Sequence, residues 1–323
     1  MRGVVAVNRL RVGSIGVTDD ASTFESTLPL RGKRALVTGV SRRRGIGYAI
    51  ALRLAQLGAG VFVQHYAPHD ADQPWGSDDL EAVRTGIRSA LAPGATFGDV
   101  SADLESPDAP AEIIDAATDR GDARLDILVC NHARSGGDGS IFDMTPERLS
   151  GHFDVNARST LLLTRYFAEQ FAGEAESGDD RASRDAPARP GEREASAGPH
   201  DEFATGRVIW MTSGQHTGPM PGEVAYATSK AALAGVTPTV AAELLARGIL
   251  LNTVNPGPVN TGYLDADTSD RSPETVAEVL RSMPFGRFGH PDDVARLIGW
   301  LASPDGRWIV GQVITSDGGF TLS

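Results

Sequence analysis

A single α/β domain with a doubly wound parallel sheet is the fold this sequence predicts, on three observations. Short apolar runs alternate with helix-length segments from Lys33 almost to the C-terminus. The first run feeds a glycine-rich turn that opens a helix. Residues suited to ligand binding (Gly39, Asp103, Asn131, Ser213, Pro256-Gly257) each follow one of these runs. A parallel sheet with right-handed crossovers puts all of them on one edge, where such folds bind ligands.

The elements follow in order. Lys33-Arg-Ala-Leu-Val-Thr-Gly39 is a short apolar strand. Val40-Ser-Arg-Arg-Arg-Gly45-Ile-Gly47 is the turn, and 48–57 is helix-like. Glycines let backbone approach phosphate, and a helix N-terminus offers N–H groups and partial positive charge. The alternative is an ordinary glycine turn, but its place between strand and helix is that of a dinucleotide site. Gly39, Ser41, Arg43, Arg44, Gly45, Ile46 and Gly47 are therefore candidate cofactor contacts. Residues 60–65 form a second strand. A site selective for NAD ends this strand with an acidic residue, whereas Gln64, His65 and Tyr66 stand here. The arginine run 42–44 instead offers guanidinium to a 2′-phosphate. NADP(H) is thus the expected cofactor, with NAD(H) as the alternative.

Residues 70–76 read as a loop, 78–91 as a helix and 96–100 as a third strand, followed by Asp103 and Leu104 where an adenine could be gripped. After a helix over 109–119, Leu125-Asp-Ile-Leu-Val-Cys-Asn131 is near-continuously apolar, as expected of a strand covered on both faces. A long helix over 146–171 carries Asn156 in its interior. Residues 173–205 are rich in charged and small residues with almost no large apolar ones, so they are expected to be a disordered insertion. Residues 1–31 are expected to be a flexible extension, leaving 32–323 as the domain.

Residues 207–212 form a fifth strand leading to Ser213, and 224–246 a helix carrying Tyr226 and Lys230. Four residues apart on a helix, these two side chains project from one face. An ammonium beside a phenol stabilises the phenolate and brings its pKa towards working pH, which equips a tyrosine for proton transfer. A sixth strand over 249–254 leads into Asn255-Pro-Gly-Pro-Val-Asn-Thr261. Residues 262–285, with a helix over 273–282, could form a lid over substrate. A helix over 291–301 and a strand over 308–315 close the chain.

Composition narrows the function classes. The chain has 323 residues, 41% of them hydrophobic, enough for a substantial core. A net charge of −12 opposes general binding to nucleic acid or anionic membranes. One cysteine, Cys130, precludes an intrachain disulfide framework and points to a reducing compartment. No apolar run reaches the length of a membrane span, and the N-terminus lacks the features of a signal peptide. A cytoplasmic protein without a metal site is expected.

Together these segments resemble the short-chain dehydrogenase/reductase family, a Rossmann-fold family, over residues 32–320 apart from 173–205. The resemblance rests on Tyr226-x-x-x-Lys230, Ser213 thirteen residues before the tyrosine, Asn156 in Phe-Asp-Val-Asn-Ala157, and Pro256-Gly257 after the sixth strand. It implies that Tyr226 exchanges a proton with the substrate oxygen while Ser213 hydrogen-bonds that oxygen. Lys230 would lower the tyrosine pKa and hold the nicotinamide ribose, with Asn156 holding a water in a proton relay. Val259 and Thr261 would meet the nicotinamide carboxamide and the phosphates, Asn131 would line the cofactor floor, and Arg44, before the second glycine, would mark NADP preference. It also implies a homodimer or homotetramer, with the Asn156 and Tyr226 helices at the interface.

Two departures stand out. Five residues, Val40 to Arg44, separate Gly39 from Gly45, where the family commonly has three. His132, in Cys130-Asn-His-Ala133, replaces a small residue and is expected to point away from the cofactor. The longer turn resembles the enoyl-acyl carrier protein reductases of the family, but their tyrosine–lysine spacing is wider. The expected activity is therefore reduction of a ketone or oxidation of a secondary alcohol, on a small-molecule substrate. Enoyl thioester reduction and a non-catalytic NADP(H)-binding sensor or scaffold are the alternatives.

Overall fold

A computed structural model describes residues 28–119, 121, 123–171, 206–269 and 271–322. The expected insertion 173–205 and residues 1–27 of the expected extension lie outside them. Seven strands are present among these residues: β1 (Arg34–Thr38), β2 (Gly60–His65), β3 (Phe97–Ser101), β4 (Ile127–Cys130), β5 (Gly206–Met211), β6 (Ile249–Asn255) and β7 (Val313–Thr315). They form one parallel sheet in the order β3-β2-β1-β4-β5-β6-β7. The helices are α1 (Ile46–Gln56), α2 (Ala67–Ala71), α3 (Leu80–Ala90), α4 (Ala109–Ala117), α5 (Pro146–Phe153), α6 (Ser159–Glu169), α7 (Val224–Leu245), α8 (Pro273–Arg281) and α9 (Pro291–Ala302).

The two-residue period of a strand explains why both sheet faces are dry. Ala35 and Val37 of β1 join a core with Ile50, Leu54 and Ile298, on the α1 and α9 side. Leu36 between them joins the opposite core with Ile113, Leu163, Phe167 and Trp210. With helices on both faces, β4 is apolar at every position and β1 is apolar on both faces over Ala35–Val37. Strand order reverses between β2 and β4, which both pair with β1. That reversal opens a crevice at the carboxyl ends of β1 and β4, the switch point of a doubly wound sheet.

Four local readings change. Leu30 is buried and donates its N–H to the Leu57 carbonyl at 2.9 Å, so 28–31 is docked chain and not part of a loose extension. Part of 70–76 is helical, since α2 runs from Ala67 to Ala71. The long helix over 146–171 contains a π-helical turn at Asp154–Arg158, between α5 and α6. The last strand shrinks from 308–315 to Val313–Thr315: Trp308 is 92% exposed, and Gly311, at φ +69°, breaks the extended run.

Candidate active site

The ends of β1, β4, β5 and β6 converge on one cavity of about 1230 Å³. On one side stands the glycine turn. No side chain caps α1, so the N–H groups of its first turn have no side-chain partner. Gly39 adopts φ +72°, and a Cβ there would lie 2.8 Å from the His132 Cα. A Cβ at Gly47 would lie 2.5 Å from the Gly39 carbonyl oxygen. Both glycines are therefore demanded by close backbone packing, as a phosphate-binding turn requires. Asn255, also on the cavity wall, has a buried amide nitrogen with no hydrogen-bond partner. An uncapped helix start, a compressed glycine turn and an orphaned donor fit a dinucleotide.

The other expected cofactor contacts fall into three groups. Ser41, Ile46, Asp103, Leu104, Pro256, Gly257, Val259 and Thr261 all line the cavity. Asp103 accepts from the Tyr66 hydroxyl, which holds that phenol above its usual pKa, and from Glu105 N–H at 2.9 Å. Asn131 also lines the cavity, but its amide is spent on the fold. Its Nδ2 donates to the carbonyls of Thr38 (3.1 Å) and Gly39 (3.2 Å), tying β4 to the glycine turn. Gln64 is committed in the same way, accepting from Gly39 N–H and donating to the Ala102 carbonyl.

Arg43 and Arg44 are not brought into the cavity. Arg43 makes a forked pair with Asp78, and Arg44 bonds Asp265 at 2.5 Å, both on a smaller, separate depression of about 650 Å³. Arg42 points inward instead. Its Nε meets Asp70 at 2.9 Å, its Nη1 donates to the Thr261 carbonyl at 2.8 Å, and its guanidinium lies over the Trp75 ring. The longer turn misleads a count back from Gly45, because the extra residues bulge outward. The signal was present in the arginine run, but not which arginine turns in.

Ser213, Tyr226 and Lys230 are brought together. Ser213 follows β5, while Tyr226 and Lys230 share the inner face of α7. The Ser213 side chain hydrogen-bonds Tyr226. Lys230 is 2% exposed, donates Nζ to the Met211 carbonyl at 3.0 Å and lies 5.8 Å from the Tyr226 ring centre. The expectation that Lys230 depresses the tyrosine pKa needs correction. Burial dominates both groups, pushing Tyr226 up to about 12 and Lys230 down to about 8. The groups that lower Tyr226 are Ser213, through its hydrogen bond, and Arg271, through its charge. Low dielectric penalises each charged form, and here that penalty exceeds the neighbouring stabilisation.

Asn156 sits in the π-helical turn, fully buried. Its Oδ1 accepts from Arg134 N–H at 2.6 Å, and its Nδ2 donates to the Arg134 carbonyl (3.2 Å) and to Ser229 Oγ (2.9 Å). Those bonds place the Asn156 side chain between the loop after β4 and α7. π-Helical turns recur at functional sites because they re-aim one residue.

Two further groups were not legible from sequence. Asp138, after β4, accepts from the N–H groups of Ala225 (3.0 Å) and Tyr226 (2.7 Å), capping α7 from outside the helix. Glu223 pairs with Arg271 beside Tyr226, and both line the cavity. Neither has a local sequence signal; each depends on chain segments distant in sequence.

His132, one of the residues lining the cavity, holds its ring between Thr38 and Val155. Val155 C=O can only accept, so Nε2 carries the ring proton towards it (3.0 Å), and Nδ1 accepts from the Thr38 hydroxyl at 2.6 Å. Burial pushes its pKa down to about 3. The native chain therefore binds one proton fewer than the unfolded chain between that value and the ordinary 6.5. Stability contributed here is complete above pH 6.5 and is lost as pH falls towards 3. Urea titrations across this window are expected to show a falling midpoint, with a shallower fall in His132→Gln; identical slopes would refute it.

Sheet order and crevice place the protein among the doubly wound, Rossmann-type α/β folds. The comparisons narrow this. A family model described as "Enoyl-(Acyl carrier protein) reductase" matches residues 39–178 and 195–321. "Uncharacterized oxidoreductase YjdA" of Bacillus subtilis is 33% identical over 290 residues, covering 89% of this chain and 96% of that one. "NADPH-dependent aldehyde reductase-like protein, chloroplastic" of Arabidopsis thaliana is 32% identical over 308 residues, covering 93% and 98%. A crystal structure of a short chain dehydrogenase from Burkholderia cenocepacia, in complex with NADP, superposes with a TM-score of 0.68 at 29% identity, covering 90% and 99%. The chain belongs to the short-chain dehydrogenase/reductase family and is an oxidoreductase of that family. Among the described residues no helix is long and apolar enough to cross a membrane, and no group of three His, Cys, Asp or Glu side chains is placed to hold a metal.

Proposed function

We propose that this protein interconverts a ketone and a secondary alcohol with NADP(H), using Tyr226 as general acid and base. The observation that carries this reading is the Ser213–Tyr226 hydrogen bond, beside the buried Lys230, on the cavity that the glycine turn also lines. The nicotinamide cofactor, when bound, supplies or accepts the hydride. The chain's own residues hold and move the proton. Tyr226 Oη gives its proton to the carbonyl oxygen in reduction and recovers it in oxidation. Ser213 shares that oxygen and stabilises the charge that develops on it. Lys230 keeps a cationic charge near the phenol at neutral pH, since its pKa of about 8 lies above that range. Support for NADP(H) comes from the name of the Arabidopsis relative and the nucleotide in the Burkholderia structure.

A panel of ketones, aldehydes and secondary alcohols, followed at the nicotinamide absorbance band, tests the reading. Binding of nucleotide without turnover on any of them would favour the sensor. The description of the matching family model supports a second activity, enoyl thioester reduction. Turnover of an enoyl but not of a 3-oxoacyl thioester would promote it.

Glu223 raises the Tyr226 pKa, whereas Arg271 lowers it. In Glu223→Gln the raising charge is gone and the lowering one remains. The tyrosine-dependent limb of the pH–rate profile is expected to move to lower pH in both directions of reaction. A limb that stays put, or moves up, would show that the pair does not act on Tyr226.

A further inference from the structure

The inward-turned Arg42 is not an open anion site. Asp70 already occupies the position where an anion would meet it. The Asp70 carboxylate takes the Ser41 hydroxyl in a short hydrogen bond, the Arg42 Nε at 2.9 Å and the Trp75 indole N–H at 3.4 Å. Arg42 and Asp70 are each largely enclosed, with side-chain exposures of 14% and 10%. Ser41, Arg42, Asp70 and Trp75 all face the cavity wall beside the glycine turn. A hydroxyl, a guanidinium and an indole N–H around one carboxylate form the donor set that a phosphate monoester would use. The other two arginines of the turn cannot substitute, since Asp78 and Asp265 hold them on the outer surface.

We propose that Asp70 is a built-in competitor for the 2′-phosphate subsite, so that the carboxylate of Asp70, not the arginines alone, sets how strongly the enzyme distinguishes NADP(H) from NAD(H). This rests on the reading of the cavity as a nicotinamide nucleotide site. A 2′-phosphate entering beside Arg42 has to displace or neighbour a carboxylate of like charge, and repulsion there counts against it. A 2′-hydroxyl brings no such charge and accepts or donates freely. Asp70→Asn keeps the shape and an acceptor for Ser41, but removes the charge. The sequence hid this residue because it lies five positions beyond β2, on α2, and not at the strand end where cofactor choice is usually read.

The test is calorimetric titration of the whole protein with NADP+ and NAD+, independent of turnover. In Asp70→Asn the ratio of NADP+ to NAD+ affinity is expected to rise at least about tenfold over the parent. Asp70→Ser, which opens the site without an amide, is expected to raise it in the same direction, and this covers a failure of the first variant to fold. A ratio that is unchanged or lower in a folded variant overturns the inference and makes Asp70 a support that merely orients Arg42. A parent protein that binds neither nucleotide overturns instead the reading on which the inference rests. Titration with 2′,5′-ADP and 5′-AMP separates the phosphate contribution: the gain in Asp70→Asn is expected with the first ligand and absent with the second, and an equal gain with both counts against competition.

Discussion

Tyr226→Phe is expected to lower kcat by about 10²–10⁴-fold, the usual worth of a positioned general acid or base. The phenyl ring keeps the packing of a partly buried side chain on the cavity wall and removes only the hydroxyl that Ser213 engages. Because the proton moves only on the way to the transition state, kcat and kcat/KM are expected to fall together. Affinity for nucleotide, measured by titration, is expected to stay within about twofold of the parent, since the lost group serves the proton and not the glycine turn. Turnover near the parent level would remove Tyr226 from the role assigned to it. Loss of nucleotide binding as well would reassign the variant to a folding defect.

Asp138→Ala carries the largest expected effect on stability. Helix α7 begins at Val224 with no side-chain cap of its own, and Asp138 supplies one from the loop after β4. The same carboxylate takes Gly139 N–H at 2.8 Å, so three backbone donors lose an ionised acceptor together. A lost cap costs about 0.5–2 kcal/mol and a hydrogen bond to a charged group about 1.5–3 kcal/mol, not additively. A total of roughly 3 kcal/mol is expected, or about 4–5 °C in Tm for a chain of this length. One of the three donors is the Tyr226 amide itself, so the start of α7 and the phenol move together. Misplacement of a catalytic group by about 1 Å costs up to about 100-fold, and kcat is expected to fall by more than tenfold. Asp138→Asn keeps one acceptor oxygen and is expected to lie between parent and alanine variant. Thermal unfolding followed by circular dichroism measures the first effect. A Tm within about 1 °C of the parent would show that solvent or backbone replaces the cap.

These two residues mark how far the sequence could be read. Tyr226 announces itself because its partners are either four residues away on one helix or follow a strand, and both geometries are fixed by local periodicity. Asp138 has no such signal. Its partners lie 87 and 88 residues further along the chain. The glycine turn shows the boundary within one motif. Gly39, Gly45 and Gly47 were legible because strand, turn and helix are adjacent in sequence. Which of Arg42, Arg43 and Arg44 enters the cavity was not, because that depends on Asp78, Asp265, Asp70 and Thr261 competing for them. Asn156 was found for its place in a motif, while its bonds to Arg134 and Ser229 became visible only in the packed chain.

What the sequence determined by itself is the alternation of strands and helices, the glycine turn, and the serine, tyrosine and lysine that share one sheet edge. Period and spacing are properties of neighbouring residues, and a parallel sheet then brings strand ends together without further information. The tertiary structure alone decided the charges and their ownership. It enclosed Tyr226 and Lys230 so that burial, and not their mutual approach, governs both pKa values. It turned Arg42 inward against Asp70 and sent its two neighbours to the surface. Electrostatic energies depend on distance and on exclusion of water, and neither exists until distant segments have packed.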